Sequence, residues 1–505
     1  MKKIIIIGGG IAGLSAGIFA QKNGFESTIY EKHTIVGGEC TGWERVGHDG
    51  VKCHIDGCIQ WMTGTLPGTS LYELWCEVAA LGDGVELIHF DSFVTFECDG
   101  ETITLWRDLD RFERETIALA PGDEKEIRRF CKAVRAVGSM EMPVEKPMDM
   151  MGPFEMMKLG SSMMGAGAVM TKYGKISGAE YAQRFRHPVL RKMFQTLLPE
   201  EYSASAMIFS YATFVSGNGA YPKGGSRAMA LRMEERYRSL GGKVVTGAKA
   251  AEILIEGDRA TGVRFADGTV QSADYVVAAC DTNVTFQKLL QGRQEYMSEY
   301  FRSHYAHSRD YALSACVYAS YETNEDLSAI PRSLCFCCEP YRVAEKEHDT
   351  SGIYHYSFDP TLNPAGKDVI VSYVPQMEED YFYWKELSAD PAAYRAEKER
   401  VQAVLLERIE QQFPALAGKV HPLDCATPVT YERYLGAFRG AYMSFMLTPK
   451  GSGSTDSDTG ELKGLDNCYL TGQWLQATGG LPTAVSTGKF TIQRICKKEN
   501  QNFRR

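Results

Sequence analysis

The 505-residue sequence predicts an α/β protein whose main domain is built from separated stretches of chain around a parallel sheet. Three observations predict it. An apolar run at residues 4–7 leads into three glycines, a helix-compatible segment and a second strand. Two further strand-and-helix blocks follow far downstream, over residues 221–281 and 464–488. The intervening chain holds one segment that reads mainly helical and one with several strand-like runs. About 150 residues per domain gives roughly two to four lobes, which fits this division. The composition is 44% hydrophobic, 24% charged and 11% aromatic, which excludes a mostly disordered or collagen-like chain. Lys plus Arg is 55 against 64 for Asp plus Glu, a net charge of −9, so no nucleic-acid partner is expected.

Residues 4–7 are four isoleucines, as in a strand buried on both faces. Gly8-Gly9-Gly10-Ile11-Ala12-Gly13 then supplies GxGxxG at Gly8, Gly10 and Gly13. A helix runs to about Asn23, with Gly24 as its C-terminal cap. The strand Glu26–Tyr30 follows, and Glu31 ends it. Gly8 permits the tight turn, Gly10 lets a pyrophosphate approach the backbone, and Gly13 allows close helix–strand packing. The helix N-terminus offers N–H groups and partial positive charge to phosphates. Glu31 stands where an acid accepts from ribose hydroxyls. The bland alternative is a glycine-rich turn in an ordinary βαβ unit. Strand, motif, helix, strand and acid in order within about thirty residues favour a dinucleotide site instead. NAD and FAD both fit at this point.

Lys32-His33-Thr34-Ile35-Val36-Gly37-Gly38 extends the fingerprint. An acid, a short spacer and a Gly-Gly pair resemble the FAD-binding flavoproteins of the amine oxidase and phytoene desaturase superfamily. The resemblance implies a Rossmann-type FAD domain, with Lys32, Gly37, Gly38 and Glu39 beside the cofactor. Many members carry Arg after the glycine pair. This chain has Glu39-Cys40-Thr41-Gly42-Trp43, similar to the carotenoid isomerase and retinol saturase branch, where Arg is also absent.

The second block opens with Tyr221-Pro222-Lys223-Gly224-Gly225-Ser226. It predicts a helix over 228–240 and strands over 243–246, 251–255, 260–265 and 273–281, with turns at Glu256-Gly257-Asp258 and Asp267-Gly268. By the resemblance, Ala250 touches the adenine side and Asp281 closes the strand near the nucleotide. The third block runs from Gly464 through Gly472-Gln473-Trp474 to Gly479-Gly480-Leu481-Pro482. A strand followed by Gly-Gly-x-Pro and a helix makes a second anion-accepting helix start. By the resemblance, Gly472, Gln473, Gly480, Leu481 and Pro482 contact the ribityl and isoalloxazine parts.

The expected division is a discontinuous FAD-binding domain over 1–90, 220–285 and 456–505, a mainly helical insertion or lid over 91–219, and an α+β substrate domain with a mixed sheet over 286–455. No second GxGxxG follows a strand, so a separate nicotinamide domain is not expected. Ten of the twenty methionines lie between Met140 and Met170. They read as a channel lid or membrane-facing patch, because several glycines and Pro153 argue against one rigid core helix. The 14 cysteines include no pair of CxxC units, so no metal is expected and they read as reduced thiols. The loop 450–460 reads as exposed.

The segment from Val51 to Trp61 resembles a family segment near the flavin. His54, Asp56, Gln60 and Trp61 are the candidates to line the reaction site. A satisfied histidine is the bland reading of His54, and a turn-forming carboxylate that of Asp56. The resemblance implies an FAD-dependent oxidoreductase acting on C–C/C=C bonds of an apolar isoprenoid- or lipid-like substrate by desaturation, saturation or isomerisation. An FAD-dependent amine oxidase and a non-catalytic flavin-binding protein are the alternatives. An electron donor or acceptor is required, of unknown identity. With an apolar run of only four residues and no stretch near the roughly 20 of a spanning helix, a cytoplasmic location is expected. Peripheral membrane contact through the methionine-rich segment and the basic tail Lys497, Lys498, Arg504 and Arg505 is the further expectation.

Overall fold

The computed structural model describes residues 1–138, 140–308, 310–451 and 457–505. Part of the 450–460 loop therefore lies outside the described residues. A five-stranded parallel sheet carries the strands in the order Lys243–Val245, Glu26–Tyr30, Lys3–Ile7, Tyr275–Ala278 and Cys468–Leu470. All three distant sequence blocks thus meet in one sheet. Ile4 and Ile6 enter one core with Leu14, Ile18 and Val277; Ile5 and Ile7 enter another with Val276, Val263 and Phe286. Burial on both faces is why the run has no polar alternation.

The helices Ile11–Lys22 and Gly480–Lys498 lie against each other on one face of this sheet. Their approach is close: Ser15 Oγ donates to Val485 O at 2.7 Å, and a Cβ on Gly488 would come within 2.6 Å of Ala12 O. The antiparallel strands Ala250–Glu256, Arg259–Phe265 and Val270–Ser272 cover the other face. The second-block helix spans Gly225–Ser239, three residues earlier than its apolar pattern predicts, because Gly224 adopts a left-handed cap.

A seven-stranded sheet runs Val420–Ala426, Ala315–Thr323, Asp368–Gln376, Lys346–His355, Ser333–Val343, Ser92–Cys98 and Glu101–Trp106. Its outer residues Val317, Ala319, Tyr321, Ile353, Ile370 and Val374 pack with Trp384, Val401 and Leu405 of the helices Glu378–Leu387 and Pro391–Gln412. The alternate residues Cys316, Tyr318, Tyr354, Tyr356 and Tyr373 turn towards the dinucleotide domain. The period-2 geometry of a strand produces this division.

One expectation, on the cysteines, needs correction, and two other segments have partners far off in sequence. The segment 91–219 opens with the hairpin Ser92–Cys98 and Glu101–Trp106, which joins the large sheet through parallel pairing of Phe96 with Cys335; helices follow only from Leu109. The cysteines are not all thiols. Cys98 and Cys337 form a disulfide, because the same pairing sets Glu97 against Phe336 and brings the next residues together across 239 positions. The basic tail is not a free charged end. Arg505 pairs with Glu145, Lys498 lies 3.5 Å from Asp466, and Phe503 packs 5.6 Å from Phe19.

The methionine-rich stretch forms two short helices, Pro153–Ser162 and Met164–Tyr173. The first buries no residue, and Phe154, Met157 and Met164 are 73%, 65% and 71% exposed.

Candidate cofactor and active site

The cradle lies where the strands Lys3–Ile7, Tyr275–Ala278 and Cys468–Leu470 end. Gly8 has φ +109°, and a Cβ there would come within 2.9 Å of Ala279 O. A Cβ on Gly13 would collide with Gly8 O. Gly10 differs: its Cβ would meet nothing closer than 3.8 Å, at Gly37 O and Gly38 Cα. Gly8 and Gly13 are needed by the fold, whereas Gly10 keeps a space clear. The helix Ile11–Lys22 has no side-chain cap and no acidic residue in its first turn, so its N–H groups face that space. The helix Gly480–Lys498 also has no N-cap side chain and no acidic residue in its first turn, although its first N–H, that of Gly480, is taken by Gln473 Oε1 at 3.0 Å.

Glu31 is buried and accepts from Gly9 N–H at 2.7 Å through one oxygen and from His33 N–H at 2.9 Å through the other. Each oxygen keeps a lone pair for a ribose hydroxyl. Lys32 is half-buried near Lys249 and Lys288, and burial holds its pKa down. Ala250 begins its strand two residues beyond Ala248, whose N–H bonds Glu31 O at 2.9 Å. Asp281 Oδ1 caps the next turn through Asn283 N–H at 2.7 Å, and its Oδ2 accepts from Phe438 N–H at 2.8 Å. Burial raises the Asp281 pKa to about 6.

Across the cradle, Gln473 links three groups. Its Nε2 donates to Glu39 Oε2 at 2.6 Å and to Tyr442 O at 3.3 Å, while its Oε1 accepts from Gly480 N–H at 3.0 Å. Burial pushes the Glu39 pKa up to about 8; the bond from Gln473 opposes this, and nearby Asp281 adds to it. Leu481 packs on the central core and Pro482 sits in the first turn beside Gly480. A Cβ on Gly472, at φ +134°, would meet open space. The adjacent Thr471 hydroxyl is buried without a hydrogen-bond partner among the described residues. The uncapped start of Ile11–Lys22, a space held open by Gly10 and Gly472, and an orphaned hydroxyl fit a bound dinucleotide.

The four reaction-site candidates fall into two places. Asp56 is wholly buried and saturated with donors. Its Oδ2 accepts from Tyr221 Oη at 2.8 Å and Ser226 N–H at 2.9 Å; its Oδ1 accepts from Ser226 Oγ and from Cys58 N–H at 3.1 Å. That arrangement joins strand Lys52–Asp56 to the helix Gly225–Ser239 and leaves little for a substrate. His54 packs on Gly42 with its backbone N–H held by Asn363 at 2.7 Å, and burial lowers its pKa. Gln60 and Trp61 lie further along. Arg332 Nη1 donates to Gln60 O at 3.2 Å, and Trp61 meets Phe93 edge-on at 5.6 Å.

A group the sequence reading passed over stands beside Gln473. Ser314 Oγ donates to Tyr442 Oη at 2.6 Å, and Tyr442 and Tyr373 hydroxyls are 2.5 Å apart. Cys316 Sγ lies 3.4 Å from Tyr431 Oη, and Glu39 is an electrostatic neighbour of Tyr431. Burial raises all these phenols and pushes the Cys316 thiol up to about 12, so the wall is neutral near pH 7. Alternating Cys316 and Tyr318 in a strand was the available signal; the partners from 373 and 442 had none. Elsewhere, His48, Asp49 and Glu322 bring ligand-type atoms together, but Lys367 already bridges Asp49 and Glu322 as their cation.

A family model described as flavin containing amine oxidoreductase matches residues 11–496. A phytoene desaturase (neurosporene-forming) of Rhodobacter capsulatus is 25% identical over 98% of this chain and 94% of the relative. A chloroplastic prolycopene isomerase of Arabidopsis thaliana is 24% identical over 92% of this chain and 79% of the relative. Among solved structures, cyclohexylamine oxidase from Brevibacterium oxydans superposes with a TM-score of 0.59 at 14% identity, over 99% of this chain and all of that one.

Proposed function

This chain belongs to the flavin containing amine oxidoreductase family, and from that premise we propose that it oxidises, reduces or isomerises C–C/C=C bonds of an apolar, isoprenoid-like substrate. FAD is its cofactor and supplies hydride acceptance or donation when bound. Gly8, Gly10 and the start of Ile11–Lys22 bind its pyrophosphate, Glu31 its ribose, and Gln473, Gly480 and Pro482 its far end. The wall of Ser314, Cys316, Tyr373, Tyr431 and Tyr442 orients the substrate and excludes water.

One observation carries the choice of substrate class. The wall beside Gln473 is neutral, and Glu39, the carboxyl next to it, is itself held protonated by burial. Among the described residues no carboxylate is hydrogen-bonded into that wall to receive an ammonium group, whereas an apolar chain needs none. Relatives that align over more than nine-tenths of this chain are a phytoene desaturase and a prolycopene isomerase, which supports the same reading. The test is anaerobic titration of the FAD-loaded protein, oxidised and reduced, with a panel of polyenes, retinoids and unsaturated fatty acids. A change in flavin absorbance is expected with a polyene. Peroxide release with putrescine or cyclohexylamine, and silence towards every apolar compound, would overturn the reading.

An apolar substrate is collected from a bilayer or a carrier. No helix among the described residues is long and apolar enough to cross a membrane. The exposed face of Pro153–Ser162, with Phe154 and Met157 outward beside exposed Lys158, suits contact with an anionic membrane surface. Co-sedimentation with anionic vesicles, lost in Phe154→Asp/Met157→Asp, is expected. Background sedimentation of the unaltered protein would remove the proposal.

A further inference from the structure

Cys40 and Cys58 face each other across the hairpin that leaves the dinucleotide cradle. The strands Gly42–Val46 and Lys52–Asp56 pair antiparallel, with Gly42 opposite Asp56. Gly57 N–H donates to Thr41 O at 2.9 Å, which carries the pairing one step past the strand ends. The next residues in that register are Cys40 and Cys58. Directly opposed residues of an antiparallel pair have Cα atoms about 4.5–5.5 Å apart, within the range that a disulfide spans. The side chains use this proximity, for the Cys58 thiol is hydrogen-bonded to that of Cys40. Both are free thiols in this structure.

Ser226, at the start of the helix Gly225–Ser239, fixes both residues. Its carbonyl accepts from Cys40 Sγ at 3.6 Å, and its hydroxyl accepts at 2.9 Å from the N–H of Ile59, next to Cys58. Cys58 N–H is itself held by Asp56 Oδ1 at 3.1 Å. The pair also borders the cofactor cradle. Gly37 N–H donates to Gly9 O at 2.9 Å, and Cys40 N–H to Gly37 O at 3.1 Å. Glu39, the residue before Cys40, accepts from Gln473 and is an electrostatic neighbour of Cys58. The two thiols therefore stand at the end of the cradle that Gln473 and Gly480 close.

A cation stands beside them. Arg232, on the same helix as Ser226, is an electrostatic neighbour of Cys40. Its Nη2 donates to Ala80 O at 2.9 Å, while its buried Nε has no hydrogen-bond partner among the described residues. A guanidinium next to a thiol stabilises the thiolate that forms when sulfur reacts. The bond with Cys40 and then burial hold the Cys58 thiol well above its ordinary range. Dithiol and disulfide are both uncharged, however, so burial penalises neither end state of the pair.

We propose that Cys40 and Cys58 are a redox-active pair that exchanges two electrons with the flavin. In one direction both S–H bonds break and one S–S bond forms, and the two electrons and two protons pass to FAD, which becomes the reduced cofactor. In the other direction the reduced cofactor returns them and the bridge reopens as two thiols. The exchange needs no further reactant and gives the protein a second two-electron store beside the cofactor. It rests on FAD as the cofactor and not on the class of substrate.

The test is an anaerobic dithionite titration of the FAD-loaded protein, first oxidised in air, with flavin absorbance as the readout. The unaltered protein should take up about two two-electron equivalents per flavin, and Cys58→Ser about one. The Cys98–Cys337 bridge is present in both and cancels in the difference. Peptide mapping by mass spectrometry, without reduction, supplies the second readout. A Cys40–Cys58 cross-linked peptide is expected from the oxidised FAD-loaded protein, and two separate thiols from the flavin-free protein and after the titration. If Cys58→Ser fails to hold flavin, Cys40→Ser is read in its place. Equal uptake by the unaltered protein and the variant, absence of the linked peptide, or a linked peptide that survives full bleaching of the flavin overturns the proposal. No substrate is present, so each of these outcomes leaves the polyene reading standing.

Discussion

Gln473 Nε2 donates to Glu39 Oε2 at 2.6 Å across 434 residues of sequence. The direction is fixed because Gln473 Oε1 already accepts from Gly480 N–H. Glu39 replaces the cation that many relatives of this fold carry after the glycine pair, and it does so as a neutral acid. Its folded pKa of about 8 stands above the ordinary 4.5. The folded protein therefore holds a proton that the unfolded chain releases. The stabilisation is fully present below about pH 4.5 and is lost as pH rises through about 8. The flavin-free protein should melt progressively lower between pH 5 and 9, roughly the window those two values set, and Glu39→Gln should flatten that decline. At the upper end of the range Glu39→Gln should be the more stable of the two. Differential scanning fluorimetry across the range checks this; parallel curves for the two proteins would refute it.

The three motif glycines should separate experimentally. A methyl at Gly13 would strike Gly8 O, part of the backbone, which has no room to move. Gly13→Ala should leave little folded protein. At Gly10 the backbone is extended, with φ −72°, and the nearest atoms to a Cβ are 3.8 Å away. Gly10→Ala should fold with an unaltered flavin-free melting temperature. Its methyl occupies the space kept for the pyrophosphate, so FAD affinity should fall at least about tenfold, as when a steric group displaces a helix-terminus contact. Titration of FAD fluorescence into flavin-free protein measures it.

The first strand, its glycines, its helix and Glu31 were legible because each partner is local: period, turn and cap are all written within one βαβ unit. The two later blocks were legible by the same local signals, and the sheet order joins them as parallel neighbours. What stayed hidden depends on distant partners. Glu39 reads as an ordinary charged residue until Gln473 and Asp281 surround it. The strands Ser92–Cys98 and Glu101–Trp106 did alternate visibly around Asp99-Gly100, but a following run of helices outweighed two short strands. Asp56 is wholly buried and already accepts from Tyr221, Ser226 and Cys58, and neither that burial nor those partners can be read from a dipeptide.

Asp56 holds two stretches of the dinucleotide domain together. Removing its carboxylate strands Tyr221 Oη, Ser226 N–H, Ser226 Oγ and Cys58 N–H in the interior. Asp56→Ala should lower unfolding stability by about 3 kcal/mol or more, the scale of several buried donors left unmade. Asp56→Asn is not conservative, because one of its two oxygens becomes an NH2 facing donors, so it too should destabilise. Urea unfolding of the flavin-free protein is the measurement. If Asp56→Asn folds with unaltered stability but loses turnover, Asp56 acts on the substrate and the positioning role fails.

The disulfide between Cys98 and Cys337 ties the hairpin at the head of the helical insertion to the edge of the large sheet. The Ser92–Cys98 strand meets Ser333–Val343 by three parallel pairs, Thr95 with Leu334 through Glu97 with Phe336, so the covalent link reinforces a short junction. The bridge closes a loop of 239 residues, and long loops restrict the unfolded chain most. The remaining twelve cysteines are free, most of them buried, with burial raising the thiols of Cys131, Cys316, Cys335 and Cys425 to about 12. Such thiols react slowly in the folded state. Thiol titration of the unfolded, unreduced protein should therefore count 12, rising to the full 14 after reduction. Cys98→Ser/Cys337→Ser should lose roughly 2–5 kcal/mol of stability, the usual range for a native bridge. The loss should appear as easier proteolysis between residues 91 and 219, because the hairpin is where the insertion is anchored. A count of 14 before reduction would show the two sulfurs unlinked, and the insertion would then be held by packing and strand pairing alone.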